Sequence, residues 1–399
     1  MLIGIVGKPN CGKSTFFKAS TLADVLIANY PFATIKPNHG MAYVKIPCID
    51  TEFKTQCMPR TGYCVNHLRF VPVDLMDVAG LVPGASEGKG LGNQFLSDLG
   101  QADCFIEVID ASGGTTIEGK PCKPGEHNPI EDIEFLEKEL DLWYLGILNK
   151  VWKTFARTLN VTKEEAGFEK GIAKQFSGLK ITEDIVKNAL KKTTLDPKNI
   201  IAWKEEDLLK FARELRIFSK PMIIAANKCD FPESIENIKK IKEKYPSYII
   251  IPCSGDSELA LKQAAKAGMI EYISGERDFK FKKELSAKQK EALESIKKNV
   301  LDKFEEGTGI QAVLNHAVFD LLRYIAIFPA SPNKLADSKG NILPDCFLLR
   351  SGSTALDFAF SLHTDIGKGF IKAIDARNGK MLGKEYILKH RDALEIVTR

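Results

Sequence analysis

Short apolar runs bounded by turn signals dominate the first third of the chain. Residues 2–6, 70–78 and 104–110 each read as a buried strand, and 221–226 and 248–252 repeat the pattern further on. Strands of this length, interleaved with helical stretches, predict a doubly wound, mostly parallel α/β sheet. The alternation stops between Gly119 and Ser219. Ile133, Leu136, Leu140, Trp143 and Ile147 recur there at steps of three and four, with Glu and Lys between them. That spacing suits a coiled-coil-like helix, and equally an amphipathic helix laid on a core. Helical stretches follow at 182–192 and 205–218 before the sheet pattern resumes, which makes this segment an insertion into the first domain. After Gly268 the chain turns Lys-rich and helical again, at 286–304 and 309–324, until Phe328-Pro329-Ala330-Ser331-Pro332 interrupts it. The remainder has short strands, a helical run over 354–363 and Asn378-Gly379, a hairpin turn signal. These are the ingredients of a small α+β domain. The expected division is 1–118 with 220–280, an insertion at 119–219, a helical connection at 281–324, and a C-terminal domain at 325–399.

Composition narrows the class. The 399 residues suffice for two or three domains, and 44% hydrophobic with 27% charged residues is ordinary globular usage, which excludes disordered and fibrous chains. A net charge of +4 is too mild to announce a nucleic-acid binder and leaves room only for a local basic face. No apolar run reaches the ~18 residues of a membrane span. The opening run is too short for a signal peptide and lacks a basic leader. Nine cysteines, an odd number scattered through apolar runs, read as reduced thiols, so a cytoplasmic location is expected.

The first strand leads into Gly7-x-x-x-x-Gly12-Lys13-Ser14, followed by a helical run. This is a P-loop pattern in the context it requires. Its glycines let backbone N–H groups close around phosphate oxygens, and the helix N-terminus adds a positive dipole end. Gly7, Asn10, Cys11, Gly12, Lys13, Ser14 and Thr15 are the expected phosphate-binding residues. Lys13 would reach the β- and γ-phosphates and Ser14 would ligate Mg²⁺. Asp77-Val78-Ala79-Gly80 ends the second apolar run, where an Asp can hold Mg²⁺ and the Gly80 N–H can meet a γ-phosphate. Asn227-Lys228-Cys229-Asp230 ends another run. The Asp230 carboxylate can accept from both N1–H and the exocyclic amine of guanine, a pair that adenine lacks. The Lys228 stem would cover the base, and Ser254 would add backbone contacts. Thr34, in a loop between Pro31 and Pro37, is the expected switch threonine for Mg²⁺, ahead of Thr21, Thr51 and Thr55. Lys13, Thr34 and Gly80 are therefore the expected catalytic set.

These motifs, together with Tyr30–Asn38, the run DVAGLVPGASEGKGLG from Asp77 and the tail from Ile325, resemble the YchF-type members of the Obg family of translation-factor-class GTPases. The resemblance covers nearly the whole chain. It implies a P-loop GTPase domain, a helical insertion, a C-terminal TGS domain of β-grasp fold, and a slow nucleotide hydrolase that works with ribosomes or rRNA. Typical YchF members have an altered guanine motif and prefer ATP. The intact motif here matches archaeal-looking relatives, so that preference is not carried over. In Ras-like GTPases a Gln follows D-x-x-G and orients the attacking water; here that position is Leu81, as in hydrophobic-substituted GTPases. In related GTPases an Asn placed like Asn10 can coordinate K⁺; the same residue can equally be a plain turn-capping Asn. Gly84, Gly88, Gly90 and Gly92 would make the second switch supple. Gly88-Lys89-Gly90 is no dinucleotide fingerprint, since Asn93 stands at its third glycine.

Cys48, Cys57, Cys64 and His67 cluster within a short stretch but lack a C-x₂-C pair, leaving metal and ordinary thiols both open. Cys11 in the phosphate loop has no flanking residue that would activate it. Lys368, Lys372, Arg377, Lys380 and Lys384 gather around the tail hairpin, either as a solvated face or as a contact for RNA. The expected molecule is a monomeric GTP/GDP switch with Mg²⁺, a ribosomal partner and no membrane. The competing readings are a non-hydrolysing nucleotide-dependent adaptor and an ATPase like typical YchF members.

Overall fold

The computed structural model describes residues 1–21, 39–78, 80, 84, 100–162, 167–332, 335–337 and 339–399; of residues 153–154 and 157–162 it describes the backbone alone. Strands β1 (Leu2–Val6), β2 (His39–Pro47), β3 (Tyr63–Val65), β4 (Leu68–Asp77), β5 (Cys104–Asp110), β6 (Met222–Asn227) and β7 (Ile250–Pro252) form one sheet in the order β2-β4-β1-β5-β6-β7, with β3 also on β4. β4, β1, β5, β6 and β7 run parallel, as the buried apolar runs imply. Every residue of β5 and β6 is buried. Two strands were not foreseen. β2 and β3 lie antiparallel to β4 at the edge. His39, Gly40, Lys45 and Pro47 break up the apolar pattern of β2, which an edge strand tolerates.

The insertion is helical: Ile130–Thr162, Gly167–Gln175, Glu183–Thr193 and Glu205–Ser219. The seam residues Ile133, Leu136 and Leu140 are at most 1% exposed. They meet more than one partner: Leu136 and Leu140 join a cluster with Phe176, Leu208, Phe211 and Leu215, and Ile133 packs with Ile109 and Ile224 under the sheet. The spacing thus marks a bundle core rather than a two-helix seam. Buried Arg216 is neutralised by Asp141 at 2.7 Å and Glu137 at 3.3 Å.

β8 (Ile270–Glu271) and β9 (Lys280–Phe281) form a small hairpin. The runs expected as continuous helices at 286–304 and 309–324 are each interrupted: Ala287–Ile296 widens into a π-turn at Lys297–Leu301, and Ile310–Asn315 into another at His316–Leu321. A second sheet follows, made of β10 (Tyr324–Pro329), β11 (Phe347–Arg350), β12 (Phe370–Asp375), β13 (Met381–Leu382) and β14 (Ala393–Thr398), in the order β11-β10-β14-β12-β13. β10 and β14 are parallel and the other pairs antiparallel. Helix Ala355–Leu362 lays Phe358 on Ile325, Ile327 and Leu394, a β-grasp arrangement. Asn378-Gly379 makes the expected β12–β13 turn, with Gly379 at φ 70° and Asp375 N–H donating to the Lys380 carbonyl at 3.0 Å.

The second sheet docks beside β4. Arg69, fully buried, donates to the carbonyls of Leu343 and Pro344 at 3.0 and 2.9 Å. Arg60 pairs with Asp345, and Arg377 and Arg391 converge on Glu52. Arg377 is therefore tied to the first domain and does not belong to a free basic face with Lys368, Lys380 and Lys384.

Candidate nucleotide site

Because β1, β4, β5 and β6 are parallel, their carboxyl ends open onto one rim of the sheet, where doubly wound folds bind ligands. The P-loop leaves β1 and enters helix Lys13–Thr21. Gly7 and Gly12 sit at φ 143° and 101°. A Cβ at Gly7 would lie 2.4 Å from the Val108 carbonyl, and one at Gly12 would lie 2.1 Å from the Asn227 amide nitrogen. Only glycine fits either position. Lys13 is buried and donates to the Lys8 carbonyl at 2.6 Å. Gly80 lies so close that a Cβ there would be 3.0 Å from the Lys13 Nζ, so the lysine and the Asp77–Gly80 loop converge. Ser14 Oγ donates to Asp77 Oδ2 at 3.1 Å. Burial raises the Asp77 carboxyl above its ordinary value, opposed by Ser14 and by the charge of Lys13. Cys11 is wholly buried and its thiol is pushed up to about 11, chiefly by burial, so it stays a packing residue. Thr34, Leu81 and Gly88, Gly90 and Gly92 lie outside the described residues.

On the far side of the pocket, Asn227 joins two walls. Its amide nitrogen donates to the Cys11 carbonyl at 3.0 Å and its oxygen accepts from Gly255 N–H at 3.0 Å. Lys228 adopts φ 63° and sends its ammonium to Asp110 at 2.7 Å, with the Asn10 carbonyl 3.5 Å away. Its stem thus runs along the rim between the motif and the P-loop. Asp230 is half-buried and makes no hydrogen bond or ion pair among the described residues. Ser254 is tied into the frame of the pocket. Its N–H is taken by the Thr308 carbonyl at 2.9 Å, its own carbonyl accepts from Glu258, and its hydroxyl caps helix Gly255–Lys266.

Motif reading overlooked three charged residues of the pocket wall. Asp110, at the end of β5, accepts from Lys228, from Ser112 and from Thr115 at 2.9 Å. Burial alone would raise its carboxyl, but these hydrogen bonds hold it below the ordinary carboxylate value. Lys8, inside the P-loop, is 2% exposed and pairs with Asp132 at 2.8 Å, and His127 closes on the other Asp132 oxygen at 2.7 Å. The available signal was positional: Asp110 ends its strand as Asp77 ends β4. Asn10 donates its amide to the Gly119 carbonyl at 2.8 Å, which gives the turn-capping reading an observed partner.

The comparisons with known proteins agree with this architecture. A 50S ribosome-binding GTPase model matches residues 2–150, an Obg-like GTPase G4-motif model of the YGR210-like type matches 225–331, and a TGS-domain model matches 338–398. A GTP-binding protein of Methanocaldococcus jannaschii is 46% identical over 398 residues, covering 100% of this chain and 99% of its own. The chain belongs to the YchF-type Obg family of P-loop GTPases. Other family members are similar along most of its length. The ribosome-binding ATPase YchF of Bacillus subtilis is 28% identical over 98% of this chain and 97% of its own. The crystal structure of a GTP-binding protein from Pyrococcus horikoshii superposes with a TM-score of 0.79 at 40% identity, covering all of both chains. In this YchF-type chain the pocket, the helical insertion and the TGS domain are joined by the contacts described above.

Proposed function

We propose that this protein is a GTP-binding switch that hydrolyses GTP slowly with Mg²⁺ and works on the ribosome. The observation that carries the reading is the Asn227-to-Asp230 motif: Asn227 is bonded to the P-loop, and Asp230 keeps its carboxylate unengaged at the same rim. Guanine offers two donors to such a carboxylate, whereas adenine would leave it unsatisfied in a half-dry pocket. Lys13 and the backbone N–H groups of Gly12, Ser14 and Thr15 would hold the β- and γ-phosphates, with Gly80 at the γ-phosphate end.

The exposed Ser14 hydroxyl beside Asp77 is a hard oxygen pair that suits Mg²⁺. These two residues would hold the ion, joined by Thr34. When bound, it would neutralise charge that develops on the phosphate oxygens. Leu81 cannot orient water, so turnover without a partner is expected at about 10⁻⁴ to 10⁻² s⁻¹. Asn10 is also the candidate residue for K⁺. The name of the B. subtilis relative supports a ribosomal partner. So does the C-terminal domain, where Lys368, Lys380 and Lys384 are exposed beside the apolar Ile371 and Met381. Among the described residues no helix is long and apolar enough to cross a membrane.

The test is multiple-turnover phosphate release from GTP and from ATP, with and without ribosomes, beside Lys13→Ala. Release from GTP above the Lys13→Ala level, raised by ribosomes, supports the reading. Release no faster than Lys13→Ala in both settings would make the protein a nucleotide-dependent adaptor, which the apolar Leu81 favours as the second reading. Equal or faster turnover of ATP would move it to the ATPase class. Ribosome co-sedimentation in GDP and in a non-hydrolysable GTP analogue tests the partner. Binding through phosphates should weaken with salt, and more so after neutralising Lys368, Lys372 and Lys380.

A further inference from the structure

A second chemical site lies away from the nucleotide pocket, where the loop between β2 and β3 folds back on itself. Cys48, Cys57 and Cys64 bring their thiols together around the Asp50 carboxylate, and all four ligand atoms lie within 4.8 Å of one another. Cys48 and Cys57 sulfurs are 3.5 Å apart, and Cys64 Sγ is 3.8 Å from Asp50 Oδ2. With zinc–sulfur bonds of ~2.3 Å, tetrahedral sulfurs stand about 3.8 Å apart. The observed spacing needs little adjustment to reach that figure. Cys48, Cys57 and Asp50 are 1%, 4% and 0% exposed, so a metal there would be shielded from water.

Asp50 is already oriented as a ligand would be. Its Oδ1 is held by His67 Nδ1 at 3.0 Å and its Oδ2 faces Cys64, also accepting from Cys57 N–H at 3.1 Å. A histidine holding the outer oxygen of a carboxylate is a common support for metal ligation. The independent observation is Arg69. This fully buried guanidinium has no carboxylate partner among the described residues: two of its nitrogens meet neutral carbonyls, and its Nε has no hydrogen-bond partner. A buried cation without an anion is costly. Arg69 lies against Cys57, so its charge sits beside the thiol cluster. Three thiolates and a carboxylate on a divalent ion carry a net charge of about −2, which would give Arg69 the anionic neighbour it lacks and be partly offset by it.

We propose that Cys48, Cys57, Cys64 and Asp50 form a structural S₃O site for a borderline-soft divalent cation, zinc first. The site has a mechanical setting. From the same loop, Met58 N–H donates to the Ile342 carbonyl and Arg60 N–H to the Pro344 carbonyl, while Glu52 receives Arg377 and Arg391. The ion would therefore set the shape of the surface on which the C-terminal domain docks. His67 is a positioning residue.

The experiment measures metal in the full-length protein purified without chelator, by elemental analysis, and replaces it with Co²⁺. One zinc per chain is expected, and Co²⁺ should give thiolate-to-cobalt charge-transfer bands with tetrahedral ligand-field bands. Cys64→Ser, at a half-exposed position, should weaken Zn²⁺ binding about a hundredfold or more, and His67→Ala about tenfold. Chelation should expose these three cysteines to alkylation, mapped by mass spectrometry, while cysteines in the apolar core stay protected. Protein with no metal that takes up neither Zn²⁺ nor Co²⁺, with its thiols free, would overturn the proposal. So would a Cys48–Cys57 disulfide in freshly purified protein, or Zn²⁺ binding unchanged in Cys64→Ser.

Discussion

Replacing Asp230 by Asn removes one negative charge and changes nothing else in the outline of the pocket. The free protein should not register the change, because the carboxylate makes no hydrogen bond or ion pair among the described residues. The backbone beneath it is pinned by neighbours: Cys229 N–H donates to the Cys253 carbonyl at 3.0 Å and Phe231 N–H to the Lys228 carbonyl at 3.2 Å. Two hydrogen bonds to a charged group contribute about 3–6 kcal/mol together, and a half-buried position belongs at the lower end. The amide oxygen would keep a neutral bond to N1–H, while the amide nitrogen would face the guanine 2-amino group, donor against donor. A loss of about 3–4 kcal/mol follows, or roughly 10²–10³-fold in GTP affinity. Xanthine carries oxygen at that position, so its nucleotide should gain what guanine loses. Titrations of fluorescent GTP, XTP and ATP analogues against both proteins measure this, with thermal melting as a control for fold. A fall of less than about tenfold for GTP, or an unchanged order of base preference, would refute the role of Asp230.

Asp132→Asn is expected to destabilise the fold by about 3–5 kcal/mol, because it strands Lys8 as a buried cation; the double change Lys8→Met, Asp132→Leu should recover most of that. Urea unfolding followed by fluorescence reads both, and a loss below about 1 kcal/mol for the single variant would contradict it. Asp110 is held below its ordinary value, so its contribution is fully present above that value, 3.8, and fades as pH falls through the lower folded-state value. Wild type should therefore outlast Asp110→Asn by a constant margin from neutral pH down to about 4, with the margin closing in stronger acid; a margin that closes near neutrality would be wrong. If Asn10 serves K⁺, exchange for Na⁺ should slow hydrolysis several-fold and Asn10→Ala should abolish the difference. Identical rates in both salts leave its bond to Gly119 as its role.

Parallel strands such as β5 and β6 were readable because they are nearly unbroken apolar runs closed by a polar residue, Asp110 and Asn227; β1 and β5 appear with the expected bounds. β2 was not, since an edge strand can carry His39, Lys45 and Pro47, and its partner is chosen by tertiary pairing with β4. The helical runs at 286–304 and 309–324 have the right period, but a π-turn shifts register without any compositional mark. In the pocket, spacing could pick out residues that touch a ligand, because phosphate and base chemistry fix their order. Lys8 pairs with Asp132 and Asp110 with Lys228 across the fold, and the members of each pair are far apart in the chain. Nothing local distinguishes such a pair from ordinary surface charges. Asp50 escaped notice among the cysteines for a similar reason: a lone carboxylate becomes a candidate ligand only when a loop closes around it.

The Lys8–Asp132 pair also has a purely geometric consequence. Asp132 lies in the first turn of helix Ile130–Thr162, 33 residues and therefore about 50 Å long at 1.5 Å per residue. The phosphate loop thus grips this rod at one end, as a hand grips an oar at the handle. A tilt of about five degrees at that grip, shared by the bundle packed on it, would sweep the far tip by about 4 Å. Displacements too small to matter among phosphate oxygens would become large at the blade.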